Sequence, residues 1–368
     1  MARVIFAYAD TQDELNTSWW RCFIPAQELS DAGYNVSAHH IGVVFSEMRG
    51  EAVQRDIDEA EVVVLERLLL RPWHGKITEW QRNGKRVIAT FDDNYALIPK
   101  SGGVSYQSWL GGERQRTVAD ELLERHGIKP AEGFNAILEE FREGLGLVDG
   151  ALVPSRVLAD DYRPYCANIQ YVPNYPHLPL WKNVLRRPQD GNIVIGWGGS
   201  SAHDISWRDS GLAPALGALC RRHPRVHVSV FGLGATIKEL LDRHKVRYEG
   251  HVWVPFDRWP HEVAKFDIYV IPCAGAYDLR RSYLKTLEAG MADIPWVASD
   301  VGVYDEAMGG VLVKNNPLAW ERALTPLIED VTYRRNLSQQ GQLWAHKMAK
   351  ECVGKYEDVL GLLEVKGE

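Results

Sequence analysis

The sequence has few cysteines, and their arrangement does not point to a metal site or a disulfide framework. Its 368 residues include five cysteines, namely Cys22, Cys166, Cys220, Cys273 and Cys352. They are far apart in the chain and form neither a CxxC pair nor a cluster with histidine. Scattered cysteines of odd number are typical of reduced, mostly buried thiols. The sequence therefore predicts no bound metal and no disulfide.

Long apolar runs are also missing. No run reaches the roughly 18 residues of a membrane-spanning helix, and the longest runs, such as Val62–Leu65 and Ile268–Ile271, have the length of buried strands. The opening residues MARVIFAYAD lack the basic, apolar and small-residue segments of a secretory signal. We therefore expect a cytoplasmic protein without stable membrane insertion.

Positive charge is not in excess. The chain has 42 Lys and Arg against 49 Asp and Glu, for a net charge of −7. Tight, non-specific binding to nucleic acid needs a basic face, so this balance disfavours it without excluding a local basic groove. A chain of 368 residues, 45% hydrophobic and 25% charged, is typical of a globular protein with two domains.

Short β-rich runs alternate with amphipathic segments twice along the chain, which predicts an α/β protein with two doubly wound parallel sheets. The predicted strands are Val4–Tyr8, Val36–His40, Val62–Glu66, Val87–Phe91, Gly150–Pro154, Ile169–Val172, Ile193–Trp197, Val226–Phe231, Val246–Glu249, Ile268–Ile271, Trp296–Ala298 and Gly310–Val313. Helices are predicted between them, among them Asp120–His126 and Ser282–Met291. The glycine-rich stretch Asp93–Glu113 is predicted to be a long loop.

A proline-rich segment from Val172 to Asp190 reads as an interdomain linker. We therefore predict an N-terminal Rossmann-like domain over residues 1–175 and a C-terminal one over residues 190–338. A terminal helix near 340–365 is expected to pack back on the first domain. In such sheets, ligands bind beyond the carboxyl ends of the strands.

The first candidate site is the motif IGWGGSSAH, Ile195–His203. A buried strand ends in Gly198, Gly199 and Ser200, where backbone comes close to a ligand and free N–H groups favour phosphate. A structural tight turn explains the glycines equally well. His203 follows directly and is a candidate donor to a phosphate oxygen.

The second candidate is the segment Ala276–Asp300. Ser282 is predicted to cap a helix, which leaves the N–H groups of Tyr283 and Leu284 for an anion. Arg281 would add positive charge beside a diphosphate.

Lys285 and Glu288 lie one turn apart on the same predicted helix. Lys285 would help Arg281 to offset negative charge, and Glu288 could accept hydrogen bonds from ribose hydroxyls. The alternative is a surface Lys–Glu pair, worth about 0.2–0.5 kcal/mol.

The N-terminal half offers further candidates after its predicted strands. Ser18, Trp19, Trp20 and Arg21 in TSWWRCFIP are interpreted as acceptor-side contacts, although the tryptophans would equally suit the core. Arg67 follows the strand VVVLE and is placed at the same edge.

The motif FDDNY, Phe91–Tyr95, carries paired carboxylates after a strand. Asp92 and Asp93 are interpreted as catalytic or acceptor-side groups. The alternative is a role in the turn and in helix capping, and a metal site is the least favoured interpretation.

Several of these segments resemble glycosyltransferase family 4 and its relatives. RRSYLKTLEAGMADIPWVASDVGVYDE resembles that family's signature, preceded in the family's order by IGWGGSSAH, VFGLG, YEGHV and FDIYVIP. Upstream, LVDGALVPSRVLADDY and IQYVPNYPH resemble the end of its N-terminal domain. The ordered matches cover roughly residues 193–310, and the first 110 residues match loosely.

The resemblance implies a GT-B fold, with two Rossmann-like domains facing across a cleft. It implies transfer of a sugar from a nucleotide sugar, with retention and without metal or cofactor; a UDP-sugar is favoured and a GDP-sugar is possible. Glu288 would hold the ribose, and the base would lie near Val254. Arg280 stands where the family has another Glu, which Asp278 could replace.

The acceptor stays open. Relatives act on lipids, polysaccharides, proteins and small molecules, and in some phages on hydroxymethylated bases in DNA. Arginines near predicted loops keep the DNA alternative open, namely Arg21, Arg49, Arg55, Arg67 and Arg71. A non-catalytic protein that binds nucleotide sugars or serves as a scaffold is the second alternative, and Arg280 supports it.

Overall fold

The structure, a computed structural model, describes residues 3–10, 17–110, 137–188 and 190–362. The chain divides into two units. The first comprises Met1–Ile98, Val104–Tyr175 and Glu351–Glu368, and the second comprises Pro99–Gly103 and Pro176–Lys350. The predicted helix Asp120–His126 lies outside the described residues.

The first unit has a six-stranded sheet in the order β2-β1-β3-β4-β5-β6. The neighbouring strands pair in parallel throughout. Its strands are β1 (Arg3–Tyr8), β2 (Asn35–His40), β3 (Val62–Glu66), β4 (Arg86–Thr90), β5 (Gly150–Val153) and β6 (Ile169–Tyr171). Because each strand is followed by a helix or loop that crosses back, the carboxyl ends of all six lie at one edge.

Helices alternate with these strands. They are α1 (Ile24–Asp31), α2 (Ile41–Phe45), α3 (Glu51–Glu59), α4 (Arg71–Arg82), α5 (Val104–Leu110), α6 (Ile137–Leu145) and α7 (Arg156–Tyr162). A π-helical turn, Trp19–Phe23, precedes α1. Ser155 accepts a hydrogen bond from the N–H of Leu158 and so caps α7. Helix α5 lies inside the predicted loop Asp93–Glu113, so that prediction is wrong for this part.

The second unit repeats the design with the order β12-β11-β10-β7-β8-β9, again parallel. Its strands are β7 (Ile193–Gly198), β8 (Val226–Phe231), β9 (Tyr248–His251), β10 (Ile268–Ile271), β11 (Trp296–Ser299) and β12 (Gly310–Val313). All twelve strands predicted from the sequence are therefore present, with ends that differ by at most two residues.

Helices alternate with the strands of the second unit. They are α8 (Leu178–Trp181), α9 (Asp204–Asp209), α10 (Leu212–Arg222), α11 (Ala235–Arg243), α12 (Trp259–Val263), α13 (Gly275–Asp278), α14 (Leu284–Met291) and α15 (Pro317–Glu329). The core is formed by the apolar strand residues with Trp197, Trp207 and Trp320. Burying aromatic and aliphatic side chains of this size supplies most of the favourable free energy of folding.

A long helix, α16 (Val331–Val359), ends the described chain. It begins earlier than predicted because Asp330 accepts hydrogen bonds from the N–H groups of Thr332 and Tyr333, at 2.8 and 3.0 Å. Its last turns belong to the first unit. There the ring of Tyr356 packs edge-on against Phe6, with ring centroids 6.2 Å apart.

Candidate functional site

The strand order of the second unit places a crevice beyond β7 and β10. From β7 the chain continues to β8 on one side of the sheet, while β10 pairs on the other side. Such a switch point is where doubly wound sheets bind ligands. The segments that follow these two strands are the glycine turn Gly198–Ser200 and the chain leading through α13 to α14.

Aromatic packing explains both glycines of the turn. A Cβ on Gly198 would lie 2.2 Å from the Trp259 ring, and one on Gly199 would lie 2.6 Å from the ring of Trp197. The N–H of Gly199 donates to Phe231 O at 3.2 Å and is therefore not available to a phosphate. The N–H of Ser200, by contrast, has no acceptor in the described part of the chain. The tight-turn interpretation holds for the glycines, and phosphate binding at Ser200 stays a prediction.

His203 lies against this turn and is held by a buried carboxylate. Its Nδ1 is 3.1 Å from Asp278 Oδ2, and Ser206 Oγ donates to the same carboxylate. Ser206 in turn accepts from the N–H of Ala274 at 2.6 Å. His203 and Asp278 are 7% and 3% exposed, so the pair lies almost wholly inside the protein.

Burial decides the protonation of this pair. Burial lowers the pKa of His203 and outweighs Asp278, which raises it, while Lys285 and Arg281 lower it further. Burial alone would raise the pKa of Asp278, but His203, Arg281 and the hydrogen bond from Ser206 lower it overall. At neutral pH the imidazole is therefore neutral beside an ionised Asp278.

Two cationic side chains lie next to His203. Arg281 donates to Tyr277 Oη at 2.9 Å, and its guanidinium lies 5.4 Å from the centre of that ring. Burial lowers the pKa of Lys285, Glu288 raises it, and Arg281 lowers it again. The Lys285 ammonium makes no hydrogen bond and no ion pair with any described residue.

The start of α14 differs from the prediction. The helix begins at Leu284 with Tyr283 as its N-cap residue, one position beyond the predicted cap Ser282. Ser282 Oγ accepts from the N–H of Leu284 at 3.4 Å, so Leu284 is not a free donor to an anion. The Tyr283 side chain is buried, and its ring centroid lies 5.4 Å from that of Trp344.

Glu288 is buried, at 6% exposed, so the alternative of a surface Lys–Glu pair is wrong. Tyr269 Oη donates to its Oε2 at 3.2 Å, and the indole of Trp259 donates as well. Burial raises the pKa of Glu288, opposed by Lys285 and by these two hydrogen bonds. Because Trp259 also packs on Gly198, Glu288 lies one ring away from the glycine turn.

Two predicted positions lie apart from this group. Val254 is half-buried in the segment after β9, beside Trp253, which is 57% exposed. No described contact joins Val254 to the glycine turn, so its role stays a prediction. Arg280 is half-buried and donates to Ala276 O at 2.9 Å.

The first unit has a comparable switch point between β1 and β3. Glu66, the last residue of β3, is 0% exposed, and its Oε2 accepts from Ala9 N–H at 2.9 Å and from Ser18 Oγ. Arg67 pairs with Asp10 and lies 3.6 Å from Glu66 Oε1. Its φ of 39° is a strained backbone conformation of the kind that clusters at functional sites.

Two predicted acceptor contacts are corrected by this geometry. Arg21 is fully buried and donates to Thr90 Oγ1, to Val172 O at 2.8 Å and to Asn174 Oδ1 at 3.1 Å. Ser18 is equally buried, and its hydroxyl donates a hydrogen bond to Glu66 Oε2. Both side chains hold the sheet edge together and present no surface to a ligand.

The neighbouring tryptophans differ from each other. Trp20 belongs to the core, as the alternative interpretation had it. Trp19 is half-buried, with its ring centroid 5.5 Å from that of Phe23. Trp19 and Arg67 keep part of their surface and stay candidates for acceptor contact.

Asp92 and Asp93 follow β4 at the same edge and are half-buried. Thr17 Oγ1 donates to Asp92 Oδ2 at 3.0 Å. The cap of the following turn is Asn94, which accepts from the N–H of Ala96 at 3.1 Å. Asn94 thus caps this turn, and both the catalytic or acceptor-side role and the turn role of the two aspartates stay predictions.

Sequence reasoning missed several residues of both sites. Glu66, Asp10, Ser206, Tyr269 and Trp259 were not singled out. A signal was present for Glu66, because a charged residue that closes a run of four apolar strand residues is buried by the sheet around it. Tyr269 and Trp259 carried no comparable signal, since aromatic residues at such positions usually serve the core.

The comparison with protein families supports the resemblance drawn from the sequence. Residues 210–330 match the family described as Glycosyl transferases group 1. The resemblance is thus confirmed over the stretch that carries Asp278, Arg281, Lys285 and Glu288. Among curated proteins, none matches the chain.

Solved structures share the fold at low identity. Anabaena Alr3699/HepE in complex with UDP and glucose has a TM-score of 0.57 at 13% identity, over 98% of this chain and 99% of its own. WaaG, a glycosyltransferase involved in lipopolysaccharide biosynthesis, has a TM-score of 0.58 at 13% identity, over 97% and 99%. TarM has a TM-score of 0.52 at 12% identity, and the match covers 81% of this chain and 54% of TarM. The predicted GT-B fold class, with two Rossmann-like domains, is confirmed.

Three further observations concern the predicted absences. All five cysteines are unpaired, and their side chains are buried. Within the described ranges, no group of three or more His, Cys, Asp or Glu side chains could hold a metal ion. Among the same residues, no helix combines the length and apolarity needed to cross a membrane.

Proposed function

We propose that this chain is a glycosyltransferase of the family 4 type that binds a UDP-sugar in its second unit and transfers the sugar with retention. The observation that carries the proposal is the pair Arg281 and Lys285 beside the glycine turn. It lies within the stretch that matches group 1 glycosyltransferases. The likeness to HepE, solved with UDP and glucose, supports UDP as the nucleotide.

A diphosphate fits the charge of this site. The Lys285 side chain is half-buried, burial lowers the pKa of its ammonium, and no described carboxylate forms an ion pair with it. Arg281, its cationic neighbour, disfavours the charged form of Lys285 further. A bound diphosphate would reverse both effects, because opposite charge at close range stabilises the protonated amine. In the reaction the same two cations would stabilise charge on the departing UDP.

Glu288 supports the placement of the nucleotide. Tyr269 and Trp259 hold one side of its carboxylate, and a carboxylate has lone pairs for further donors. Two adjacent ribose hydroxyls are donors of the required spacing. The proposal therefore places the ribose at Glu288 and the diphosphate between Lys285 and the N–H of Ser200.

The acceptor is proposed to bind the first unit at the edge that carries Arg67, Asp92 and Asp93. Its chemical class stays open. Most of the arginines that kept the DNA alternative open are engaged within the protein: Arg21 with backbone, Arg67 with Asp10, and Arg71 with Glu143. No specific observation favours modified DNA over a glycan, a small molecule or a protein.

The test is calorimetric binding of UDP to the full chain, followed by an assay for UDP release from UDP-sugars. Lys285→Met is expected to weaken UDP binding at least about tenfold, the scale of a charge-assisted hydrogen bond. Lys265→Met is the matched control, because Lys265 is exposed and pairs with Glu262. Equal affinity in the two variants would refute the diphosphate assignment.

Turnover separates an enzyme from a non-catalytic binding protein. Release of UDP from a UDP-sugar by the wild type, lost in Lys285→Met, supports catalysis. Binding without any release from UDP-, GDP- or ADP-sugars would support the binding protein instead. Because the proposal assigns leaving-group stabilisation to Arg281 and Lys285, EDTA is expected to leave the rate unchanged.

A further inference from the structure

The His203 imidazole has one nitrogen engaged within the protein and one that faces outward. Nδ1 bonds Asp278 at 3.1 Å, whereas Nε2 has no partner among the described residues and is not sealed from solvent. The ring is fixed on its other sides. It packs edge-on against Trp197, with centroids 5.9 Å apart, and a Cβ on Gly199 would meet its Cδ2 at 2.8 Å.

The hydrogen bond at Nδ1 sets the chemistry of Nε2. A neutral imidazole carries one N–H proton. Because Asp278 is ionised and can only accept hydrogen bonds, that proton lies on Nδ1, which donates to Asp278 beside the hydroxyl of Ser206. Nε2 then carries a lone pair. The cations beside the ring, Lys285 and Arg281, disfavour a second proton there.

An unprotonated nitrogen is a poor partner for a phosphate oxygen, since both carry lone pairs. It is a good partner for a hydroxyl. Lys285 and Arg281, which lie next to this nitrogen, would bind the phosphates. A neutral hydrogen-bond acceptor beside them therefore suits the uncharged part of the ligand. The expectation that His203 donates to phosphate is therefore replaced by one in which it accepts.

We propose that His203 Nε2 accepts a hydrogen bond from a hydroxyl of the donor's sugar and so selects the sugar, with Asp278 and Ser206 as positioning residues. The inference rests on the proposed function, because it needs a UDP-sugar in this crevice. It extends that function by naming the interaction that recognises the sugar. A hydroxyl near the diphosphate donates a hydrogen bond to the neutral nitrogen of His203.

The test compares UDP with UDP-sugars on the full chain. UDP-glucose, UDP-galactose and UDP-N-acetylglucosamine are titrated by calorimetry, and the sugar that adds most affinity over UDP is kept. His203→Asn is the main variant, because its amide can still donate to Asp278 while Nε2 is removed. His203→Gln, whose amide oxygen can reach the place of Nε2, is the conservative variant, and thermal unfolding confirms that both fold.

His203→Asn is expected to bind UDP within about twofold of the wild type and to lose about five- to tenfold in affinity for the UDP-sugar, the scale of one hydrogen bond. His203→Gln is expected to recover part of the loss. With a deoxy-sugar that lacks the recognised hydroxyl, the wild type is expected to fall to the level of His203→Asn, and the variant is expected not to change.

Three outcomes would overturn the inference. If His203→Asn weakens the binding of UDP and of the UDP-sugar equally, His203 contacts the phosphates. If it weakens the binding of neither, His203 has a purely structural role. A wild type that binds UDP, but no tested UDP-sugar more tightly than UDP, would refute sugar recognition and leave the diphosphate site standing. A wild type that does not bind UDP would instead refute the proposed function itself.

Discussion

The folded chain is expected to lose stability as pH rises toward 7 because of one buried carboxyl, Glu66. Burial raises its pKa from the ordinary 4.5 to about 7, opposed by Arg67 and by hydrogen bonds from Ser18 and Ala9. The folded state therefore holds the proton more tightly than the unfolded state. The stabilising contribution is complete below pH 4.5 and is lost as pH rises through 7.

The size follows from the two pKa values. A shift of one pKa unit corresponds to about 1.36 kcal/mol, so a pKa of about 7 in place of 4.5 corresponds to about 3.4 kcal/mol in full. Between about pH 5 and about pH 8 the linkage relation gives a loss of about 2.5 kcal/mol. Arg67 lowers the pKa of Asp10 although burial opposes it, so Asp10 titrates below its ordinary 3.8 and outside this range.

The assay is urea unfolding of wild type, Glu66→Gln and Glu61→Gln at both pH values. Hydrogen–deuterium exchange of peptides from β1 and β3 reports the first unit. Glu61 is exposed and directly precedes β3, which makes it the matched control. The pH-dependent loss is expected in wild type and Glu61→Gln, and Glu66→Gln is expected to lack about 2.5 kcal/mol of it. An identical pH dependence in Glu66→Gln and wild type would refute the reasoning.

Four further results are expected. Glu288→Gln should raise the KM for a UDP-sugar about tenfold, as one charge-assisted hydrogen bond predicts, and an unchanged KM would sink the ribose assignment. Arg21→Met should destabilise the first unit by about 1–3 kcal/mol in thermal unfolding, because buried neutral acceptors lose their donor. Gly198→Ala should cost about 1–3 kcal/mol through the clash with Trp259, and a neutral change would contradict that packing. As pH rises, UDP affinity should begin to decline before pH 10.5, the ordinary pKa of a lysine, because Lys285 loses its proton. Lys285→Arg should abolish that decline.

The fold was predictable because its strands are short, apolar and well separated. Parallel strands covered on both faces must be apolar throughout, and runs such as Val62–Glu66 and Ile268–Ile271 are therefore visible without an alignment. Helix ends were harder, since they depend on local caps. Ser282 was a plausible cap by type, yet its hydroxyl bonds Leu284 and the helix begins later.

The candidate sites were predictable only where residue type implies charge at a strand or helix end. Arg281 and Lys285 were singled out in this way, and Glu288 by its spacing of one helical turn from Lys285; their role in a site stays a prediction. Arg21 had the same residue type and a similar position, but its partners Val172 and Asn174 lie about 150 residues further along the chain. A pairing of such separation leaves no trace in local sequence, so a buried structural arginine was interpreted as a ligand contact.

The five cysteines have a practical consequence for studying motion in this protein. Each thiol is buried, and burial raises the pKa of all five, so the reactive thiolate is scarce at neutral pH. A cysteine introduced at an exposed site would therefore outcompete them for a maleimide dye. One such dye could be attached to each unit without removing any native cysteine. The energy transfer between the two dyes would report whether the distance between the labelled residues changes as UDP binds.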